Sequence, residues 1–168
     1  LGDLGGESSS EEVDIYVAKY DSNGLIQWVK RLAPLSYEGY PHSISISADR
    51  SVIIAGISDE NIDSQNDDNS RDVFVSKISF NGSSEWTRFL GLNPGSYWDS
   101  GVTSPVTTDD GSIFVAANVW GNLDGQHDNN STNIVIAKFT ESGSKSWSTS
   151  FGTSNVDRVN SIANSSDG

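Results

Sequence analysis

Asp14 to Trp28 reads DIYVAKYDSNGLIQW, Asp72 to Trp86 reads DVFVSKISFNGSSEW, and Asn133 to Trp147 reads NIVIAKFTESGSKSW. Lys19, Lys77 and Lys138 hold the same place in the three segments. So do Gly24, Gly82 and Gly143, and Trp28, Trp86 and Trp147, at intervals of 58 and then 61 residues. A fixed period of this length marks a repeat architecture. Each copy opens with apolar residues on both sides of an alternating stretch: Ile15 and Val17 against Tyr16, Ala18 and Tyr20; Val73 and Val75 against Phe74 and Ile78; Ile134 and Ile136 against Val135, Ala137 and Phe139. Side chains of a strand alternate between its two faces, so such a strand is expected to be covered on both.

A turn follows at Ser22-Asn23-Gly24, Phe80-Asn81-Gly82 and Glu141-Ser142-Gly143. Glycine after a short polar residue supplies the positive φ of a tight hairpin. The returning strand carries the repeated Trp and runs to Leu32, Leu90 or Phe151. A weaker third strand is expected at Ser43 to Ile46, Pro105 to Thr107 and Ser161 to Ala163, ending in turns at Ala48-Asp49-Arg50, Asp109-Asp110-Gly111 and Ser166-Asp167-Gly168. The fourth, Val52 to Gly56 and Ile113 to Ala117, is strongly apolar. No stretch sustains a 3.6-residue period, so no substantial helix is expected.

Four meandering strands in about 60 residues, apolar on both faces, describe a blade of a β-propeller. A lone four-stranded sheet of this kind cannot bury its faces, whereas stacked neighbours can. The expected fold is therefore all-β, with propeller-type blades of four antiparallel strands. The alternative is a β-sandwich, which the doubly apolar strands disfavour. The pattern D-[IV]-[FY]-V-[AS]-K, then N-G or S-G, then W, with a later D-G-S-[IV]-x-[VI]-A strand, resembles the bacterial β-propeller repeat called SBBP. The resemblance covers nearly the whole chain in three copies. It implies a part of a large secreted or surface-attached bacterial protein and carries over no catalytic residues. Arg50 stands where that repeat has a turn glycine, and Ala117 where it has a strand-ending glycine.

The organisation expected is an inter-blade loop over 1–13, a first blade repeat over 14–58 and an acidic linker over 59–71. A second repeat over 72–120, a second linker over 121–132 and a third repeat over 133–168, lacking its fourth strand, complete it. Gly2 and Leu4 match Gly121 and Leu123, so both ends fall within a repeat. Three blades are fewer than the four or more that close a propeller. The expectation is a segment of a longer repeat protein, with a protomer completed by symmetry partners as the alternative.

Among 168 residues, 23 are acidic and 10 are Lys or Arg, a formal net charge of −13. Nucleic-acid affinity comes mainly from basic residues neutralising phosphates, and an anionic membrane surface likewise attracts bases, so neither is an expected partner. No apolar run is long enough to span a bilayer. The absence of cysteine removes disulfides, thiolate metal sites and cysteine nucleophiles. High acidity without cysteine suits an extracellular or bacterial cell-surface setting.

Candidate sites lie between the copies. Asp63, Gln65, Asp67 and Asn69 alternate, and Asp124, Gln126, Asp128 and Asn130 repeat them 61 residues on. Alternating oxygen donors are how loops ligate calcium; a solvated acidic loop that blunts an edge strand has the same composition. Trp98 beside Asp99 aligns with Tyr37 beside Glu38, and an aromatic ring next to a carboxylate is a candidate glycan platform as well as a loop anchor. The repeated Lys is expected to pack its stem along the blade and send its ammonium to a carboxylate or to solvent. The repeated Trp is expected between blades, its indole N–H meeting a carbonyl.

His42 and His127 belong to no recognisable motif, and no nucleophile elbow, zinc-protease helix or phosphate loop is present. The role expected is therefore non-enzymatic: a structural or interaction scaffold, an adhesin or surface-layer component. Its partners would be further repeats, symmetry-related subunits, glycans or other surface proteins. A glycan-binding propeller is the first alternative and a fragment of a propeller enzyme the second.

Overall fold

The computed structural model describes residues 15–32, 40–58, 72–90, 101–120 and 131–165. Among them are eleven strands and no helix: β1 (Tyr16–Tyr20), β2 (Ile26–Arg31), β3 (Tyr40–Ile46), β4 (Val52–Ser58), β5 (Asp72–Ile78), β6 (Ser84–Phe89), β7 (Gly101–Val102), β8 (Val106–Thr107), β9 (Ile113–Trp120), β10 (Thr132–Phe139) and β11 (Lys145–Phe151). The fold is all-β, and every strand pairing is antiparallel.

Three sheets form: β1-β2; β3-β4-β5-β6; and β11-β10-β9, with both β7 and β8 pairing β9. Hydrogen bonding is thus offset by two strands from the sequence repeats 14–58, 72–120 and 133–168. The third and fourth strands of one copy join the first hairpin of the next. The reason lies in β4, which is apolar on both faces and requires a ladder on both edges. β5 supplies one edge over seven residues, from Val52↔Ile78 to Ser58↔Asp72.

The middle sheet is covered on both sides. Val52, Ile54, Phe74 and Ile78 pack with Ile15, Val17 and Leu32 of the first hairpin, and Trp28 lies against this cluster. Ile53, Ala55, Val73 and Val75 on the opposite face pack with Ile113, Val115, Val135 and Phe139 of the third sheet, with Trp86 alongside. All seven positions of β4 and of β5 are buried. A two-layer sandwich would leave one face of this sheet in water; here three layers stack in chain order.

Two local departures from the sequence reading have plain causes. The third strand of the second copy is broken into β7 and β8 at Thr103 to Pro105, because proline has no N–H for the ladder. Ser161 to Ala163 forms no strand. β3 and β8 are strands because β4 and β9 pair with them, and nothing pairs with 161–163. Four, four and three strands are expected of the three copies, and the described residues form four, five and two.

Candidate functional site

Five turns share one construction. In each, the first residue's N–H donates to the fifth residue's carbonyl and its own carbonyl accepts from the fourth residue's N–H, at Asp21, Ser47, Ser79, Thr108 and Thr140. The fourth residue has positive φ: Gly24, Arg50, Gly82, Gly111 and Gly143. This is a three-residue hairpin loop, a type I turn closed by a left-handed residue. A short polar side chain at the first or third position completes it. Asp49 Oδ1 accepts from Ser51 N at 2.9 Å, Asp110 Oδ1 from Ser112 N at 2.9 Å, and Asn81 Oδ1 from Ser83 N at 3.1 Å. Arg50 adopts φ 66° without being glycine, a conformation that costs an L-residue about 1–2 kcal/mol. Its guanidinium carbon lies 4.5 Å from the centre of the Phe80 ring.

Register then places the recurrent residues. Lys19 pairs with Trp28, Lys77 with Trp86 and Lys138 with Trp147 across their hairpins, each Lys next to a register shift that the turn introduces. The Trp of each internal hairpin reaches the turn of the following one. Trp28 Nε1 donates to the Phe80 carbonyl at 3.1 Å, and a Cβ built on Gly82 would lie 3.0 Å from Trp28 Cγ. Trp86 Nε1 donates to the Glu141 carbonyl at 3.1 Å, and a Cβ on Gly143 would lie 2.6 Å from Trp86 Cδ2. Glycine here serves two needs, a left-handed backbone and room for an indole. The Lys follows the same route. Lys19 Nζ donates to the Phe80 carbonyl at 3.2 Å and sits 3.0 Å from the ring centre, while Lys77 reaches Glu141 at the equivalent turn position.

Lys77 is the buried centre of this contact, 3 % exposed. Its ammonium lies 2.9 Å from Asp49 Oδ2, 3.2 Å from Glu85 Oε2 and 3.6 Å from Glu141 Oε1. Burial lowers its pKa, but the hydrogen bonds to Asp49 and Glu85 and their charges outweigh that and raise it. Asp49 is pushed up by its partial burial, yet hydrogen bonds from Ser47, Lys77 and Ser51 hold it well below the usual carboxylate range. Thr108 and Ser112 hold Asp110 low, at about 2, by hydrogen bonding to the ionised form. A cavity of about 160 Å³ lies among Ser47, Asp49, Lys77, Asp109, Asp110 and Glu141. Asp49 and Asp110 are tuned away from neutrality, the opposite of what a general acid needs. The cluster ties two sheets together.

The expectations for the repeated Lys and Trp hold at Lys77, Trp28 and Trp86. Trp147 departs from them. It is 44 % exposed, it meets Phe114 edge-on with ring centres 6.0 Å apart, and among the described residues no acceptor meets its indole N–H. Lys138 lies 5.2 Å from the Phe114 ring centre. A groove of about 590 Å³ opens beside them, lined by Val106, Phe114, Ile136, Trp147, Ile162 and Ala163. Asp157 N donates to the Thr132 carbonyl at 3.0 Å and Val159 N to Asn118 Oδ1 at 2.7 Å, which steers the last segment toward this face.

The sequence candidates Asp63, Asp67, Asn69, Asp124, Asp128 and Asn130 lie outside the described residues, as do Tyr37, Glu38, Trp98 and Asp99. Topology nevertheless locates the strand ends that flank them. β2, β4, β6 and β9 leave, and β3, β5 and β10 enter, at the end of the sheets opposite the five turns. His42 is exposed on β3, and the described residues contain no group of three or more His, Asp or Glu arranged to hold a metal ion. What sequence reasoning missed was the partner side of the Trp contact, the carbonyls two residues before Gly82 and Gly143, since a backbone acceptor has no side-chain signature. The fivefold turn was visible as Ser, Thr or Asp three residues before each left-handed position. No protein-family model matches the chain, and no curated protein matches it.

Proposed function

We propose that this chain is a non-enzymatic structural or interaction scaffold, a run of propeller-type blades from a bacterial extracellular or cell-surface repeat protein. The observation that carries this reading is the contact made twice in the same form. Trp28 on Gly82 and Trp86 on Gly143 join successive sheets through a packed indole and a carbonyl hydrogen bond. A module that spends its recurrent residues on joining neighbours is built to be repeated. The resemblance to the SBBP repeat supports the propeller arrangement and the surface setting. The strongest polar cluster, around Lys77, fits the same reading, because Asp49 is held ionised and Lys77 joins it to Glu85 and to Glu141 of the next sheet.

Glycan binding is the second reading. It is favoured by the convergence, at the end opposite the turns, of the strand ends that flank Tyr37-Glu38 and Trp98-Asp99. One experiment separates the two. Purified protein applied to a glycan array, and to chromogenic glycosidase, esterase and protease substrates, is expected to give no saturable signal. A saturable glycan signal that Trp98→Ala abolishes replaces the scaffold by a lectin-like module, and turnover of any substrate replaces both. Calcium is tested alongside: a melting temperature raised by millimolar calcium and lowered by EDTA shows binding, and loss of that response in Asp67→Asn or Asp128→Asn places the ion among Asp63, Asp67 and Asn69 or Asp124, Asp128 and Asn130.

A further inference from the structure

We infer that the open face of the third sheet receives the β1-β2 hairpin of a second copy of this chain, with Trp147 of one copy seated on the Gly24 turn of the next. The two halves of this contact are both present and both unused. Trp28 and Trp86 each cover a turn glycine, and Trp147, in the same register, covers none. Gly82 and Gly143 each lie under an indole, whereas a Cβ on Gly24 would meet nothing within 4 Å. The turn at Asp21 has the same backbone hydrogen bonds and positive φ as the two occupied ones. Its Ser22 carbonyl stands two residues before Gly24, where Phe80 and Glu141 offer theirs to an indole.

The surrounding surfaces match in the same way. On the middle sheet, the residues equivalent to Phe114, Ile134 and Ile136 are Ile53, Val73 and Val75, all buried under the next sheet. On the third sheet this face is an apolar groove. The hairpin face that would enter it carries Ala18 and Tyr20, the latter 57 % exposed, at the places where β5 buries Ser76 and Ile78. Lys138 would meet a turn that begins with Asp21, as Lys77 meets one that carries Glu141. The occupant is set by this continuity, because the surface that fits a Trp-over-glycine socket is another copy of the turn. The contact is head to tail, so two different patches of each copy are used, and such a contact either closes a ring or propagates.

The inference rests on the reading of the chain as a stacking scaffold. Sedimentation velocity tests it, on protein from about 1 μM to about 1 mM, a range that spans weak and moderate self-affinity. The average mass is expected to rise with concentration. Trp147→Ser and Gly24→Asn are each expected to weaken association by more than about tenfold. Asn tolerates the left-handed backbone, so Gly24→Asn keeps the turn and places a side chain where the indole must sit. Far-ultraviolet circular dichroism and melting curves check that both variants fold. Mixed in equal amounts, the two variants are expected to form a capped dimer, since one retains Trp147 and the other Gly24.

Wild-type protein that stays monomeric throughout overturns the inference. So does association indifferent to both variants, or variants that fail to complement each other. A monomer with a blank glycan array loses this interface and keeps the scaffold reading. A saturable glycan signal removes the scaffold reading whatever the sedimentation shows.

Discussion

Trp86 and Trp147 occupy the same place in the same kind of hairpin, each paired across the strands with a lysine beside a register shift. Trp86 donates its N–H to a carbonyl and lies stacked near Phe139, with ring centres 6.4 Å apart. Trp147 has an edge contact with Phe114 and is nearly half exposed. The strand register and the turn are the same at the two sites, and what sets them apart is the neighbouring sheet that covers Trp86 and not Trp147. An indole in a repeat protein draws its stability from the next module.

Truncating the two tryptophans measures that difference most directly. Trp86→Ala is expected to cost about 3–4 kcal/mol, the range for removing a packed aromatic, read from urea denaturation. Trp147→Ala, measured at a concentration where the chain is monomeric, is expected to cost under about 1 kcal/mol. Equal losses would mean that the internal contact adds nothing. The glycines give the reciprocal test. Gly143→Asn should lose about 2 kcal/mol, because its Cβ collides with Trp86. Gly24→Asn, in a turn of the same shape with nothing near it, should stay within about 0.5 kcal/mol of wild type.

The lysines extend the comparison at smaller amplitude. Lys77→Met leaves three carboxylates without their counter-charge, but each can turn to water, so about 1–2 kcal/mol is expected, below the cost of breaking a fully buried pair. Lys138→Met, whose ammonium rests over a ring at the open face, should change stability by less than about 0.5 kcal/mol.

The pH profile follows from the same groups. Asp49 and Asp110 have folded pKa values below the unfolded 3.8, so their contribution is present above that pH. It is lost as pH falls through the folded values, toward about 2 for Asp110. Lys77 has a folded pKa above its unfolded 10.5. Its contribution is complete below 10.5 and is lost as pH rises through the higher folded value. Burial lowers the folded pKa of His42 below 6.5, which costs stability once pH falls under that value. Melting temperature should therefore be flat from about pH 7 to about pH 9, and fall on both sides. Lys77→Met should blunt the alkaline decline, and an unchanged alkaline limb would show that Lys77 does not supply it.

At Arg50 opposing effects nearly cancel. Arg50→Gly relieves a left-handed backbone worth about 1–2 kcal/mol. It also gives up a ring contact worth about 0.5–1 kcal/mol and loosens the unfolded chain by about 0.4–1 kcal/mol. The sum lies within about 1 kcal/mol of zero, and differential scanning calorimetry can read its sign.

Much of the fold is legible in the chain because strands and turns are local. The alternation at Val73 to Ile78 announces a strand covered on both faces, and Gly24, Gly82 and Gly143 announce hairpins. Pro105 could have warned that the third strand of the second copy would break. The sheet boundary was not legible. β4 pairs with β5 across the linker 59–71, and a repeat period cannot say which four consecutive strands hydrogen-bond together. The candidate site was half legible: Trp and Gly stood out as a recurrent set, but not that each Trp belongs to the glycine of the following copy.

By itself, then, the sequence determined the all-β class, the threefold period, the turn glycines and the lysine and tryptophan in register, because these depend on side-chain alternation and backbone stereochemistry within a few residues. The tertiary structure alone decided where one sheet ends and another begins. It also decided that Lys77 is buried among carboxylates while Lys138 is not, and that Trp147 and Gly24 stand uncovered. Those outcomes depend on which surfaces meet between parts of the chain far apart in sequence, 52 and 55 residues in the two Trp contacts, and segments of the same pattern meet different neighbours.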